Sequence, residues 1–165
     1  MSNVVFLDVD GVLNTRTTCV PAPSGTVIGI DESRVGILKK AMDIGGFDGV
    51  VLTTTWKDLR KDNVDYLYLT GLLKKYEILI YGETEDKLYA GREWGIFKYL
   101  EDHPEVEDFI IIDDQHYGFD DTRKLWDRYI DTRGEGIENS VYASKTPSIS
   151  AMLFMDGLHE NFKKY

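Results

Sequence analysis

Cysteine is nearly absent from this chain: Cys19 is the one thiol among 165 residues. One thiol cannot close an internal disulfide, which excludes the bridged frameworks of small secreted domains and fits a reducing compartment. Cys19 lies in a loop-like stretch with no histidine near it in sequence, a poor setting for a nucleophile. Long hydrophobic runs are missing as well. None approaches the roughly 20 residues that a membrane-spanning helix needs, and the first residues lack the basic-then-apolar order of a secretory leader. No membrane partner is expected, and the expected location is cytoplasmic. Positive charge is scarce. Lys and Arg number 19 against 29 Asp and Glu, a net charge of −10. The pairs Lys39-Lys40 and Lys163-Lys164 stand isolated. A protein that grips nucleic acid without regard to sequence presents a basic face. Strong non-specific nucleic-acid binding is therefore not expected, although a local basic groove stays open. Repeats, low-complexity tracts and linkers are also lacking, so one domain over residues 1–165 is expected.

What is present concentrates at the start. Val4-Val5-Phe6-Leu7 is an uninterrupted apolar run that leads into Asp8-Val9-Asp10-Gly11. Such a run reads as a strand buried on both faces of a parallel sheet. Side chains two apart point the same way. Asp8 and Asp10 then face one site at the strand's C-terminal end, the edge where open α/β sheets bind ligands. A plain turn accounts for Asp10-Gly11. It does not account for Asp8, whose charge follows a buried run and is costly unless paired or metal-bound.

Further along, residues 15–30, rich in Thr, Pro, Gly and Ser, read as a loop or short hairpin. A helix capped by Asp31 or Ser33 runs to about Ile44 with Val35, Leu38 and Met42 inward, and Gly45-Gly46 ends it. Val50-Val51-Leu52 is a second strand, followed at once by Thr53-Thr54-Thr55-Trp56. Lys57 to Lys75 is helical by pattern, with a break near Thr70-Gly71. Glu77 to Tyr81 is a third strand and residues 82–91 a polar loop. Glu93 to Glu101 is a helix with Ile96, Phe97 and Leu100 inward, ended at His103-Pro104. Phe109-Ile110-Ile111-Ile112 is a fourth strand that runs into Asp113-Asp114. Val141-Tyr142-Ala143 is a fifth, short strand, and Pro147 to Tyr165 a closing helix. This alternation predicts an α/β fold, a doubly wound parallel sheet with helices on both faces. Three strands end in polar or acidic residues, and in a parallel sheet those ends share one edge.

Phe6-Leu7-Asp8-Val9-Asp10-Gly11-Val12-Leu13 resembles the first motif of the haloacid dehalogenase (HAD) superfamily of phosphohydrolases, hhhDxDGxL, with Val12 where Thr is usual. The resemblance implies a HAD-like Rossmannoid fold. Residues 15–30 would be its small flap, too short for a cap domain. Thr53 matches the second motif, with Thr54 as fallback. Arg92 at a helix start is the candidate for the third-motif cation, usually Lys, with Lys87 and Lys98 as alternatives. Asp113-Asp114 matches the acidic fourth motif, and Asp120 or Asp121 could add an outer carboxylate. The implied cofactor is Mg²⁺, with Asp8, the Val9 carbonyl, Asp10, Asp113 and Asp114 as the metal-holding set. The implied catalytic set is Asp8 as nucleophile, Asp10 as acid and base, and Thr53 and Arg92 on the phosphate. The environments of Asp8 and Asp10 must then differ. The expected activity is hydrolysis of a phosphomonoester through an aspartyl-phosphate.

The Asp-Val-Asp-Gly-Val-Leu-Asn form, the Trp soon after the second motif and the compact chain are most similar to HAD domains associated with RNA-repair proteins. That favours a nucleotide or a nucleic-acid end phosphate as substrate. Two alternatives stand beside this reading. One is a catalytically weak binding or regulatory protein that keeps the fold. The other is a receiver-like phospho-Asp domain, against which Val9 separates the two acids after the first strand.

Overall fold

Runs of Val, Ile and Phe too short for helices pair side by side in the computed structural model, which describes residues 2–160. The strands are β1 (Ser2–Leu7), β2 (Gly49–Leu52), β3 (Ile80–Glu83), β4 (Val106–Asp113), β5 (Tyr129–Asp131) and β6 (Val141–Tyr142). They form one sheet in the order β3-β2-β1-β4-β5-β6. Every neighbouring pair is parallel except β5 and β6, which are antiparallel. The chain winds outward from β1 to β3 on one side and from β4 onward on the other. The switch point therefore lies between β1 and β4, where open α/β sheets form their ligand crevice. Register completes the arrangement. Leu7 is level with Leu52 on one side and with Ile112 on the other. The next residues, Asp8, Thr53 and Asp113, emerge together on one edge.

Among the described residues five helices cover the sheet: α1 (Glu32–Gly45), α2 (Val64–Lys75), α3 (Arg92–Asp102), α4 (Arg123–Trp126) and α5 (Ile149–Glu160). The period-two alternation of β1 divides the core. Val5 and Leu7 belong to a layer with Leu38 of α1, Leu69 of α2 and Phe154 of α5. Val4 and Phe6 belong to the opposite layer with Ile96 of α3 and Leu125 of α4. Side chains such as Leu38 and Leu73 are fully buried, and truncating one to Ala costs about 2–5 kcal/mol. Residues 15–30 hold a single antiparallel bridge, Pro21 to Ile28, and no cap domain is inserted there. Among the described residues no helix is long and apolar enough to cross a membrane.

The structure departs from the sequence reading in five places. The helical stretch 57–75 is broken at 59–63 rather than near Thr70-Gly71. Thr55–Asp58 is a separate 3₁₀ turn, and Asn63 caps α2 by accepting from the Asp65 amide at 2.8 Å. The third strand begins at Ile80, not Glu77. Glu77 takes a left-handed backbone, and the Ile78 amide donates to Leu73 to close α2. β5 escaped notice because three residues carry no period, yet Tyr129 and Ile130 are buried through their places beside β4. Residues 141–142 form an antiparallel edge strand that ends the parallel series. The closing helix starts at Ile149, and its expected last residues, 161–165, lie outside the described residues.

Candidate active site

The turn after β1 is built around its own backbone. The Val12 and Leu13 amides both donate to the Val9 carbonyl, at 3.0 and 2.8 Å, and the Gly11 amide donates to Asn14 Oδ1 at 3.0 Å. Gly11 sits at φ +81°, and a Cβ there would lie 2.6 Å from Asp114 Oδ2. Only glycine both adopts that conformation without strain and lets the Asp114 carboxylate come this close.

Asp8 and Asp113 emerge from β1 and β4 and are buried, 3% and 0% exposed. One oxygen of each, together with one of Asp114, lies within 4.8 Å of the other two. Arg92, the first residue of α3, puts one guanidinium nitrogen 2.6 Å from Asp113 Oδ2 and 3.1 Å from Asp8 Oδ1. Burial raises the Asp8 carboxyl well above the ordinary range; Asp113 adds to the rise and Arg92 opposes it. Burial likewise lifts Asp113 to about 7, against the pull of Arg92. For Arg92, burial works against the charged form, but the charges of Asp8 and Asp113 outweigh it and the pKa rises. Once all three carboxylates are ionised, one guanidinium leaves the cluster net negative. Three hard oxygen donors at this spacing fit a divalent cation of the Mg²⁺ or Ca²⁺ kind. The close seat of Asp114 against Gly11 is part of that fit.

Asp10 faces a different setting. It is exposed at the surface of the crevice. Its two oxygens accept from Asn14 Nδ2 at 3.0 Å and from Trp56 Nε1 at 3.1 Å. The Asp10 carboxylate stands outside the three-carboxylate group, so only its main-chain carbonyl is left to serve the expected metal set. Val9 is corrected too. A carbonyl oxygen has two lone pairs, and both on Val9 are engaged by the Val12 and Leu13 amides.

Thr53 and Thr54 both border a cavity of about 30 Å³ with Lys57, Thr84 and Arg92. The Thr53 hydroxyl donates to the Val51 carbonyl at 3.3 Å, while the Thr54 hydroxyl accepts from the Trp56 amide and caps the 3₁₀ turn. The Thr54 hydroxyl hydrogen is not used by that contact, so both hydroxyls stay at the cavity as donors to a ligand. Lys87 and Lys98 are elsewhere: Lys87 lies over the Trp94 ring, and Lys98 pairs with Asp102 along α3. Asp120 and Asp121 are exposed in a short turn and do not join the cluster. Cys19 is exposed on the flap.

Several residues at this edge were missed by the sequence reading. Lys57 is nearly buried and pairs with Asp86 at 2.7 Å, so a second cation borders the Thr53 cavity. Tyr117 covers the Arg92 guanidinium with its ring, 4.7 Å from the centroid. Burial lifts its phenol to about 12, although Arg92 opposes the rise. Glu93 accepts from the amides of Gly91 and Gly118, both at 3.1 Å, tying the start of α3 to the loop that carries Tyr117. A Lys one turn after a Thr run, or a Glu after an Arg, is too common a pattern to announce these roles.

Acidic side chains delivered by the adjacent parallel strands β1 and β4 at the switch point, beside an arginine from the helix that precedes β4, are an arrangement in keeping with a HAD domain, a family of the hydrolase class. The family model for the HAD domain in Swiss Army Knife RNA repair proteins matches residues 4–140, and the chain belongs to that family. No curated protein and no solved structure matches the chain.

Proposed function

We propose that this protein is a Mg²⁺-dependent phosphomonoester hydrolase that acts through an aspartyl-phosphate on Asp8, with a nucleotide or nucleic-acid end phosphate as substrate. The observation that carries the reading is the contrast within one turn. Asp8 is buried against Arg92, and Asp10, two residues on, faces solvent with both oxygens held. A carboxylate oxygen of Asp8 attacks phosphorus, and the bond to the leaving oxygen breaks as Asp10 gives that oxygen a proton. Asp10 then takes a proton from water, whose oxygen attacks the same phosphorus and frees Asp8. Arg92, Lys57 and the Thr53 hydroxyl meet the phosphate oxygens and offset the charge that would repel Asp8. A divalent cation held by Asp8, Asp113 and Asp114 supplies further neutralisation of the phosphate when bound. The Asp10 carbonyl, which accepts no hydrogen bond among the described residues, replaces Val9 as the main-chain candidate for that cation. The family's RNA-repair description supports the nucleic-acid end phosphate, and the open, capless crevice admits one.

The test is phosphate release with Mg²⁺ from nucleoside monophosphates, 3′- and 5′-phosphorylated oligonucleotides and sugar phosphates, with Asp8→Asn as the blank. Release from one class, at least about 10³-fold lower in the blank, is expected. Silence from every class with the fold intact would move the protein to a binding role. Asp10→Asn is expected to keep Mg²⁺ binding and slow both chemical steps.

A further inference from the structure

A groove of about 550 Å³ opens beside Asp10. Asp10, Asp114, Arg16, Val27, Ile28 and Arg133 are among the residues that line it. We propose that this groove holds the leaving alcohol of the substrate, and that Arg16 and Arg133 bind a second phosphate carried by that alcohol. The proposal rests on Asp10 as the group that meets the leaving oxygen, and so deepens the function proposed above.

The volume suits a nucleotide-sized group. Charge gives the chemistry. Acidic groups outnumber basic ones by ten in this chain, yet Arg16 makes no hydrogen bond or ion pair among the described residues. A free guanidinium in such a chain is a ready donor pair for a phosphate. Arg133 is held loosely at its tip, 3.4 Å from the Asn139 carbonyl and 3.8 Å from Glu135. Its backbone is held firmly. Arg133 takes a left-handed conformation at φ 56°, and its amide donates to Asp131 at 2.8 Å. The same loop is tied to the turn of Asp10, since the Thr132 hydroxyl and the Gly136 amide both donate to the Gly11 carbonyl, at 2.8 and 3.1 Å. Arg133 is thus carried at a fixed place relative to Asp10 while its guanidinium stays available.

The flap also presents Val27 and Ile28 to the groove, 46% and 42% exposed. It is anchored by Ser24, which donates to the buried Asp65, and by Gly29, whose carbonyl accepts from Asn14. Those two side chains offer an apolar bed for a flat ring. Arg34 makes a useful contrast. It borders a separate groove of similar size, but Asp31 and Glu138 already neutralise it. A nucleoside bisphosphate and the end of a polynucleotide share the chemistry that Arg16 and Arg133 would read.

The experiment compares kcat/KM for AMP, adenosine 3′,5′-bisphosphate and a 5′-phosphorylated tetranucleotide. It uses wild type, Arg16→Ala, Arg133→Ala, the double variant and Arg16→Lys. Wild type is expected to favour the bisphosphate over AMP by about tenfold or more. The ratio is expected to fall toward one in the double variant and to recover in part with Arg16→Lys. A further gain on the tetranucleotide, lost in the same variants, would support the proposal with a chain end as the source. Equality of tetranucleotide and bisphosphate would support it with the small molecule as the source. A wild-type ratio near one, or a ratio untouched by both arginines, would overturn it. Calorimetric binding of the bisphosphate and AMP to Asp8→Asn reads the same groove without turnover. An Arg16-dependent preference there, with no hydrolysis by wild type, would sink the proposed function and leave the subsite standing.

Discussion

Asp8 and Asp10 leave the same strand two residues apart, yet they belong to two regions of opposite character. The Asp8 side is closed: its carboxylate is buried with Asp113, bridged by Arg92, and the adjoining cavity by Thr53 and Lys57 measures about 30 Å³. The Asp10 side is open: its carboxylate is exposed, oriented by Trp56 and Asn14, and the groove beyond it measures about 550 Å³. Burial concentrates charge where a phosphate would be bound tightly and held still. Exposure leaves room where a variable leaving group must enter and depart. The lesson is that one motif can serve both needs, because the chain leaves β1 after Leu7 and turns, so that its two acids enter different surroundings.

The comparison can be broken most severely at Arg92. Arg92→Ala strips the buried carboxylates of their counter-charge, and metal-free stability above pH 7 is expected to drop by about 3–5 kcal/mol. Denaturant melts at pH 8 and pH 5 check this, with the loss shrinking at pH 5 as the carboxyls protonate. An equal loss at both pH values would mean that Arg92 acts through packing. On the open side, Trp56→Phe removes one donor from Asp10 and keeps most of the buried ring. A fall in kcat of about tenfold is expected, the worth of one hydrogen bond to a charged group. Mg²⁺ affinity, set by the other region, is expected to hold; a matching loss of Mg²⁺ affinity would show that the two regions are not separate.

The smallest effect is the pH dependence of the closed region. Asp8 and Asp113 both have folded-state pKa values above the ordinary range, Asp113 at about 7. The folded protein then holds more protons than the unfolded chain between the ordinary carboxylate range and about pH 7. Metal-free stability is greatest below that window and falls as pH rises through it. Mg²⁺ needs the ionised carboxylates, so its shift in Tm should be larger at pH 8 than at pH 5. A Mg²⁺ shift independent of pH would place the ion away from these two groups.

The centre of the sheet was legible because buried parallel strands leave long apolar runs, and β1 and β4 each end abruptly in acids. Asp8 and Asp113 could be named for that reason, and Arg92 through the family resemblance alone. Asn14 and the Trp after the second motif were visible as residues, but their grip on Asp10 was not. Short elements were lost: β5 has three residues, and its burial comes from β4 rather than from any pattern of its own. The Val9 carbonyl was misjudged because a loop's backbone hydrogen bonds depend on how tightly the turn closes.

The sequence by itself determined the α/β class, the edge on which the acids gather and the residues at the heart of the site, because hydrophobic periodicity and strand ends are local properties. The tertiary structure alone decided that the Asp10 carboxylate stands apart from the three-carboxylate cluster, that Lys57 and Tyr117 come close to the Thr53 and Arg92 side of the site, and that Arg16 and Arg133 border one groove. Those relations join residues as far as 121 positions apart, and only packing of the flap and the loop after β5 against the turn of Gly11 brings them together.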